Sequence, residues 1–187
     1  MQPGTTVTGN DKHGEALQPE SSRDKAQHCE ITRGSEPAMS ETLDLPPLLL
    51  GRLNHVGIAC PSIDDTVAMY GRLFGATLST PAFDLPAQGV RVAFINVANS
   101  QLELIEPLGE DSPIHGFLKK NPNGGQHHVC FEVEDIIAAR DAMRARGATV
   151  LGTGEPRIGA HGVPVIFVHP RDTGGVLIEL MATPDHH

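Results

Sequence analysis

Four residues stand where chemistry can be done: His55, Glu103, His128 and Glu179. The histidines sit in similar strands, LNHVGIA at 53–59 and GGQHHVCFEV at 124–133, and are 73 positions apart. Each carboxylate is a lone charge inside an apolar terminal strand, Glu103 in LEL and Glu179 in IEL. Burying a carboxylate between leucine and isoleucine costs several kcal/mol unless a cation or donor compensates it, so something positive is expected to face both. Two nitrogens and two oxygens around one cup, with positions left for water or substrate, suit a hexacoordinate divalent ion such as Co²⁺, Mn²⁺, Ni²⁺ or Zn²⁺. Singly, a strand histidine is more often a hydrogen-bonded structural residue, and a buried glutamate is often half of an ion pair. A repeat that sets both types at matching positions tips the reading toward a metal.

The chain writes the positioning elements twice. After the first histidine strand, Ser62 and Asp65 form a capping pattern, and Ile63, Val67, Tyr70 and Phe74 fall on one helical face up to Gly75. After the second, Glu134-Asp135 caps a helix with Ile136, Ala139 and Met143 on its face, ending at Gly147. GATL at 75–78 and GATV at 147–150 each open an expected strand. Gly89–Val97 and Gln101–Ile105 read as a hairpin around Ala98-Asn99-Ser100, with Val163–Val168 and Gly175–Met181 as counterparts. Each half is therefore β-α-β-β-β, with a fold class of α+β. Between the halves, Ser112-Pro113 reads as an N-cap and first helical position for a short helix to Lys120. In the second histidine strand, strict alternation puts His128, Cys130 and Glu132 on one side and Val129, Phe131 and Val133 on the other. It turns His127 away from His128, in a supporting role. His161, His169, His186 and His187 have weaker claims to a site.

Composition bounds the function. A 187-residue chain with 39% hydrophobic content can bury one sizeable core or two small coupled modules. A net charge of −9 argues against non-specific nucleic-acid binding, and no apolar run is long enough to span a membrane. Three cysteines with no CxxC pair fit a reducing compartment, read as cytoplasmic. Residues 1–45 are polar and aperiodic and read as a disordered tail, with the domain over 46–187 and modules at about 52–108 and 126–182. The tail lacks an apolar h-region and is too acidic for a mitochondrial transit peptide, although a matrix location would follow if the protein is eukaryotic. No Walker or Rossmann glycine pattern is present.

From about Leu53 to Leu180 the chain resembles the methylmalonyl-CoA epimerase family of the vicinal oxygen chelate superfamily. The likeness is carried by LNHVGIA at 53–59, ELIEPLGEDSPI at 103–114, GGQHHVCFEVEDI at 124–136 and IGAHGVPVIFVHPRDTGGVLIEL at 158–180. It implies two paired βαβββ modules forming a curved mixed sheet around a divalent metal, Co²⁺ before Mn²⁺, Ni²⁺ or Zn²⁺, held by His55, Glu103, His128 and Glu179. Some relatives have Gln where Glu103 stands. The implied activity is interconversion of (R)- and (S)-methylmalonyl-CoA by proton abstraction at C2 through a metal-stabilised enolate. Glu179 is the expected base on one face and Glu132 on the other, with an orienting role as the alternative for Glu132. Val92 stands where some epimerases carry a catalytic glutamate, and its neighbour Arg91 reads as solvated. Lys119, Lys120, Arg157 and Arg171 are the cations expected near CoA phosphates, and a homodimer is implied. The competing readings are a glyoxalase I-type lyase acting on a glutathione hemithioacetal and a non-catalytic small-molecule-binding module of the same superfamily.

Overall fold

The structure, a computed structural model, describes residues 50–184. The expected tail over 1–45, most of the PPLLL lead-in, Cys29, His186 and His187 lie outside the described residues. The elements in chain order are β1 (Leu53–Ala59), α1 (Ile63–Phe74), β2 (Phe83–Leu85), β3 (Val90–Val97), β4 (Ser100–Pro107), α2 (His115–Lys120), β5 (Gly125–Val133), α3 (Ile136–Ala145), β6 (Arg157–Ile158), β7 (Pro164–Val168) and β8 (Leu177–Ala182). All eight strands belong to one curled mixed sheet of order β2-β3-β4-β1-β5-β8-β7-β6. Outward from the centre, β1-β4-β3-β2 on one arm matches β5-β8-β7-β6 on the other. The halves join where β1 runs antiparallel to β5, and each first strand lies parallel to the last strand of its own half. The α+β reading with two paired βαβββ units holds.

Period-two alternation sorts the side chains between the faces of this sheet. On the convex face, Ala93, Ile95 and Leu104 pack with Ile63 of α1, while Ile166, Val168 and Leu180 pack with Ile136 and Ala139 of α3. On the concave face, Val92, Phe94 and Ile105 form one apolar arm, and Cys130, Val165 and Met181 the other. Helices α1 and α3 begin where the sequence places them. Ser62 Oγ accepts from the Asp65 N–H at 3.1 Å, and the Asp135 carboxylate accepts from Ile137 and Ala138 at 2.9 Å. A cross-strand carboxylate strengthens the first cap, since Glu106 Oε2 accepts the Ile63 N–H at 2.6 Å. Each such cap is worth about 1 kcal/mol.

Three expectations change. Ala76–Leu78 and Ala148–Val150 do not make strands: each half keeps one bridge there, Leu78 to Ile95 and Val150 to Val168, and the sheet edges are the short β2 and β6. Phe74 shares the helical spacing of Ile63 but not its burial. It is 72% exposed and meets the Tyr70 ring instead. Ser112 is not an N-cap. Helix α2 starts later, after Ile114, and Ser112 makes only backbone bonds there, its N–H donating to the Gly109 carbonyl at 3.4 Å and its carbonyl accepting the His115 N–H at 3.2 Å.

Two glycines are required where backbones crowd. Gly124 has φ 83°, and a Cβ there would lie 2.5 Å from the Ala59 carbonyl oxygen. Gly57 lies opposite His128 in the β1–β5 ladder, and a Cβ there would lie 2.0 Å from His128 Cε1. That ring is buried and cannot swing aside. Gly57→Ala is therefore expected to destabilise the fold by about 1–3 kcal/mol, with a larger proportional loss of divalent-cation affinity. Thermal unfolding and metal titration of the variant check both.

Candidate metal centre

The four central strands, β4-β1-β5-β8, set the four expected ligands in two rows on the concave face. Pairing registers align Glu103, Gly57 and His128 across β4, β1 and β5, and His55, Cys130 and Glu179 across β1, β5 and β8. Each row ends in a carboxylate at one side and an imidazole at the other, with a small residue between. Gly57 leaves room for the His128 ring. Cys130 is fully buried, and desolvation followed by the nearby carboxylates pushes its thiol far up, so it stays protonated filler.

The donor atoms converge. His55 Nε2 lies 3.1 Å from His128 Nε2 and 3.5 Å from Oε2 of both Glu103 and Glu179. His128 Nε2 lies 3.2 Å from Glu103 Oε2 and 3.1 Å from Glu179 Oε2. All four residues are buried, and their ligand atoms fall within 4.8 Å of one another. An ion bound about 2.1 Å from each ligand requires adjacent donors about 3.0–3.4 Å apart, between octahedral and tetrahedral edges. The spacings of 3.1–3.5 Å lie within or about 0.1 Å beyond that range, so the donor set fits a divalent cation in number, type and distance.

The electrostatics point the same way. Burial would push the His128 imidazole down, but hydrogen bonds to Glu103 and Glu179 outweigh it and raise its pKa to about 9. Burial would likewise push Glu179 up, yet bonds from His128 and His55 draw it down to about 2. Without a metal, protons on imidazole nitrogen hold the carboxylates together. The pocket is built to contain positive charge.

Strand irregularity decides where the flanking side chains go. The β1–β5 ladder slips by one residue at Asn54 on β1 and by one at His127 on β5, so each residue preceding a ligand histidine is a bulge. His127 is therefore not turned away: it lines the cavity, and its Nδ1 lies 3.0 Å from Nδ1 of His128. Burial first and the neighbouring His128 second lower its pKa to about 4, so it stays neutral and accepts from the His128 Nδ1–H. Glu132 points to the concave face as expected but neither joins the cluster nor lines the cavity. Its Oε1 accepts from the Asn54 amide at 2.8 Å.

A cavity of about 350 Å³ opens from the cluster. Glu103, His127, His128 and Glu179 stand in its walls, with Val92, Ile105 and Ile114 on one arm and Val165, Phe167 and Leu177 on the other. Val92 is fully buried and leaves its stretch of wall without a carboxylate. Arg91 is not free in solvent: it pairs with Glu106 at 3.1 Å. Of the four expected CoA cations, Arg157 lines the cavity, Lys119 and Lys120 close the last turn of α2, and Arg171 is taken up by Asp172 and Thr149. His169 caps a short turn through the Arg171 N–H. His161 rests against Phe94, with ring centroids 4.5 Å apart, and 5.5 Å from His55. Asn54 carries no motif signal and goes unnoticed in sequence, because a bulge depends on pairing across strands.

Residues 54–167 match the glyoxalase/bleomycin resistance protein/dioxygenase superfamily. The chain belongs to that superfamily. It is 56% identical over 132 residues to the ethylmalonyl-CoA/methylmalonyl-CoA epimerase of Cereibacter sphaeroides, covering 71% of this chain and 98% of that protein. It is 52% identical over 131 residues to the mitochondrial methylmalonyl-CoA epimerase of Homo sapiens, covering 70% of this chain and 73% of that one. Among solved structures, a variant Streptomyces coelicolor methylmalonyl-CoA epimerase in complex with 2-nitronate-propionyl-CoA superposes with a TM-score of 0.66 at 36% identity, over 73% of this chain and 97% of that one.

In this superfamily member, a cation must displace the proton that His128 otherwise holds. The raised pKa stabilises the cation-free fold fully below the unfolded value of 6.5, and that contribution is lost as pH rises through about 9. Zn²⁺ affinity is therefore expected to rise by about tenfold per pH unit between those limits, while the melting temperature of the cation-free protein falls. Calorimetric titration and thermal scans across that window check the two slopes.

Proposed function

We propose that this chain is a methylmalonyl-CoA epimerase that uses a divalent cation held by His55, Glu103, His128 and Glu179. The observation that carries the proposal is the convergence of these four buried side chains, three of which, Glu103, His128 and Glu179, stand in the wall of a cavity whose remaining lining is largely apolar. The named activities of the Cereibacter sphaeroides and Homo sapiens relatives support the substrate. Co²⁺ is the proposed ion, ahead of Mn²⁺, Ni²⁺ and Zn²⁺, and the working form is taken as a homodimer.

The proton to be moved sits on the carbon between a thioester and a carboxylate, and is too weakly acidic for an unaided carboxylate near neutral pH. A divalent cation bound to the four ligands supplies Lewis acidity toward the substrate oxygens flanking that carbon. The protein supplies the rest. Glu103 and Glu179 occupy equivalent positions in the two halves and enter the cavity from strands on either side of the β1–β5 seam. Glu179 is the proposed carrier of the C2 proton on one face, and Glu103 is the carboxylate available to the other now that Glu132 is engaged elsewhere. The apolar walls exclude water, which protects the deprotonated carbon from unspecific reprotonation. At the mouth, Arg157, with Lys119 and Lys120 on α2, is proposed to meet CoA phosphates.

A glyoxalase I-type reaction uses the same ligand types, so the discriminating measurement is direct. Incubation with methylmalonyl-CoA and Co²⁺ in deuterated water is expected to place deuterium at C2. Turnover of a glutathione hemithioacetal without any such exchange would end the proposal. Glu179→Gln is expected to lower the exchange rate by about 10²–10⁴-fold, and His128→Ala to abolish stoichiometric metal content, measured by elemental analysis of the purified protein.

A further inference from the structure

Glu132 is 4% exposed and has no place in the proton chemistry described above. Its Oε1 accepts a hydrogen bond from Asn54 Nδ2 at 2.8 Å, and Asn54 Oδ1 lies 2.9 Å from His55 Nδ1. A carboxylate can only accept hydrogen bonds, so it holds the NH₂ end of the Asn54 amide toward itself. The carbonyl end must then face His55. That oxygen can only accept, so a ring proton sits on Nδ1 of His55, and the neutral ring then presents its lone pair on Nε2, the atom aimed at Glu103, His128 and Glu179.

We propose that Asn54 and Glu132 form a positioning relay that fixes the tautomer and ring orientation of His55 and thereby sets the affinity of the site for a divalent cation. The bulge makes the relay possible. In a regular strand Asn54 would point away from the face that His55 and Glu132 share, but the one-residue slip between Leu53 and His55 in the β1–β5 ladder brings its amide between them. Backbone bonds lock the bulge in place: the Glu132 N–H donates to the Arg52 carbonyl at 3.0 Å, and the Glu132 carbonyl accepts from the Gly51 N–H at 2.8 Å. The carboxylate and the bulge it directs therefore belong to one rigid unit. His128 meets a second imidazole, His127, through its own Nδ1, whereas His55 is backed through an amide by the carboxyl group of Glu132. The two ligand histidines are thus unequal, and His55 is the more strongly polarised donor.

The proposal rests on the four-ligand reading of the cluster for its effect on cation binding, but the tautomer can be read without any cation. Glu132→Gln keeps the shape and removes the acceptor-only constraint. Asn54→Ala removes the link. Long-range proton–nitrogen correlation of the His55 ring in the metal-free full chain is expected to show Nδ1 protonated in the natural protein and partly unprotonated in both variants. Zn²⁺ titration without substrate is expected to show affinity lowered by about 10–100-fold in each, and by no more in the double variant, because both changes break the same chain. An Nδ1 that stays fully protonated in Glu132→Gln, affinity within about twofold of the natural protein, or losses that multiply in the double variant would each overturn the relay. If Asn54→Ala does not fold, the isosteric Glu132→Gln decides alone. Absence of Zn²⁺ binding in the natural protein would remove the four-ligand reading, and the ring tautomer would still decide for or against the relay.

Discussion

Two carboxylates confined with two imidazoles in a space that admits almost no solvent form the constraint on which the molecule depends. Each unpaired charge taken from water costs several kcal/mol even after relaxation. Glu103 and Glu179 are tolerated because each finds an imidazole nitrogen within 3.5 Å, and because a divalent cation can replace the shared protons at the same distances. The raised His128 pKa and the lowered Glu179 pKa are two expressions of one demand for positive charge. A buried cluster with this demand fits a divalent cation.

The duplicated unit meets the constraint economically. One half contributes His55 and Glu103, the other His128 and Glu179, so neither half holds both ligand imidazoles alone. Only the antiparallel seam between β1 and β5 brings them together. The seam also explains the small residues at its centre: four ligands can share one face only if Gly57 and Cys130 leave room between them. Their sizes are requirements of the site before they are requirements of the core.

Much of this was legible in sequence, because the repeat states it twice. The helix caps at Ser62 and Asp135, the hairpin strands and the convergence of four polar side chains on one face all follow from patterns with a local cause. What was missed lacks a local cause. The bulges at Asn54 and His127 exist only in the pairing of β1 with β5, so strict alternation sent His127 to the wrong side and gave Asn54 no role. Phe74 had the spacing of a core residue but stays exposed beside the Tyr70 ring. Ser112 had the residue type of a cap, yet α2 begins three residues later. Arg91 looked solvated because its partner, Glu106, lies on the neighbouring strand.

The bulges also bear on how such a site keeps its geometry without becoming loose. A ligand histidine on a regular strand has its ring orientation set by packing alone, and rings in a cavity wall are packed on one side only. Here each ligand histidine is preceded by the residue that the ladder leaves over, and that residue's side chain grips the ring nitrogen facing away from the site. An irregularity in backbone pairing is thereby converted into rotational restraint on the ligand next to it. The restraint is covalently adjacent, so it moves with the strand and survives small shifts of the arms. The outer strands and the segment over 151–160, which carries β6, lie beyond that restraint, while the nitrogens that His55 and His128 bring to the cluster are held 3.1 Å apart.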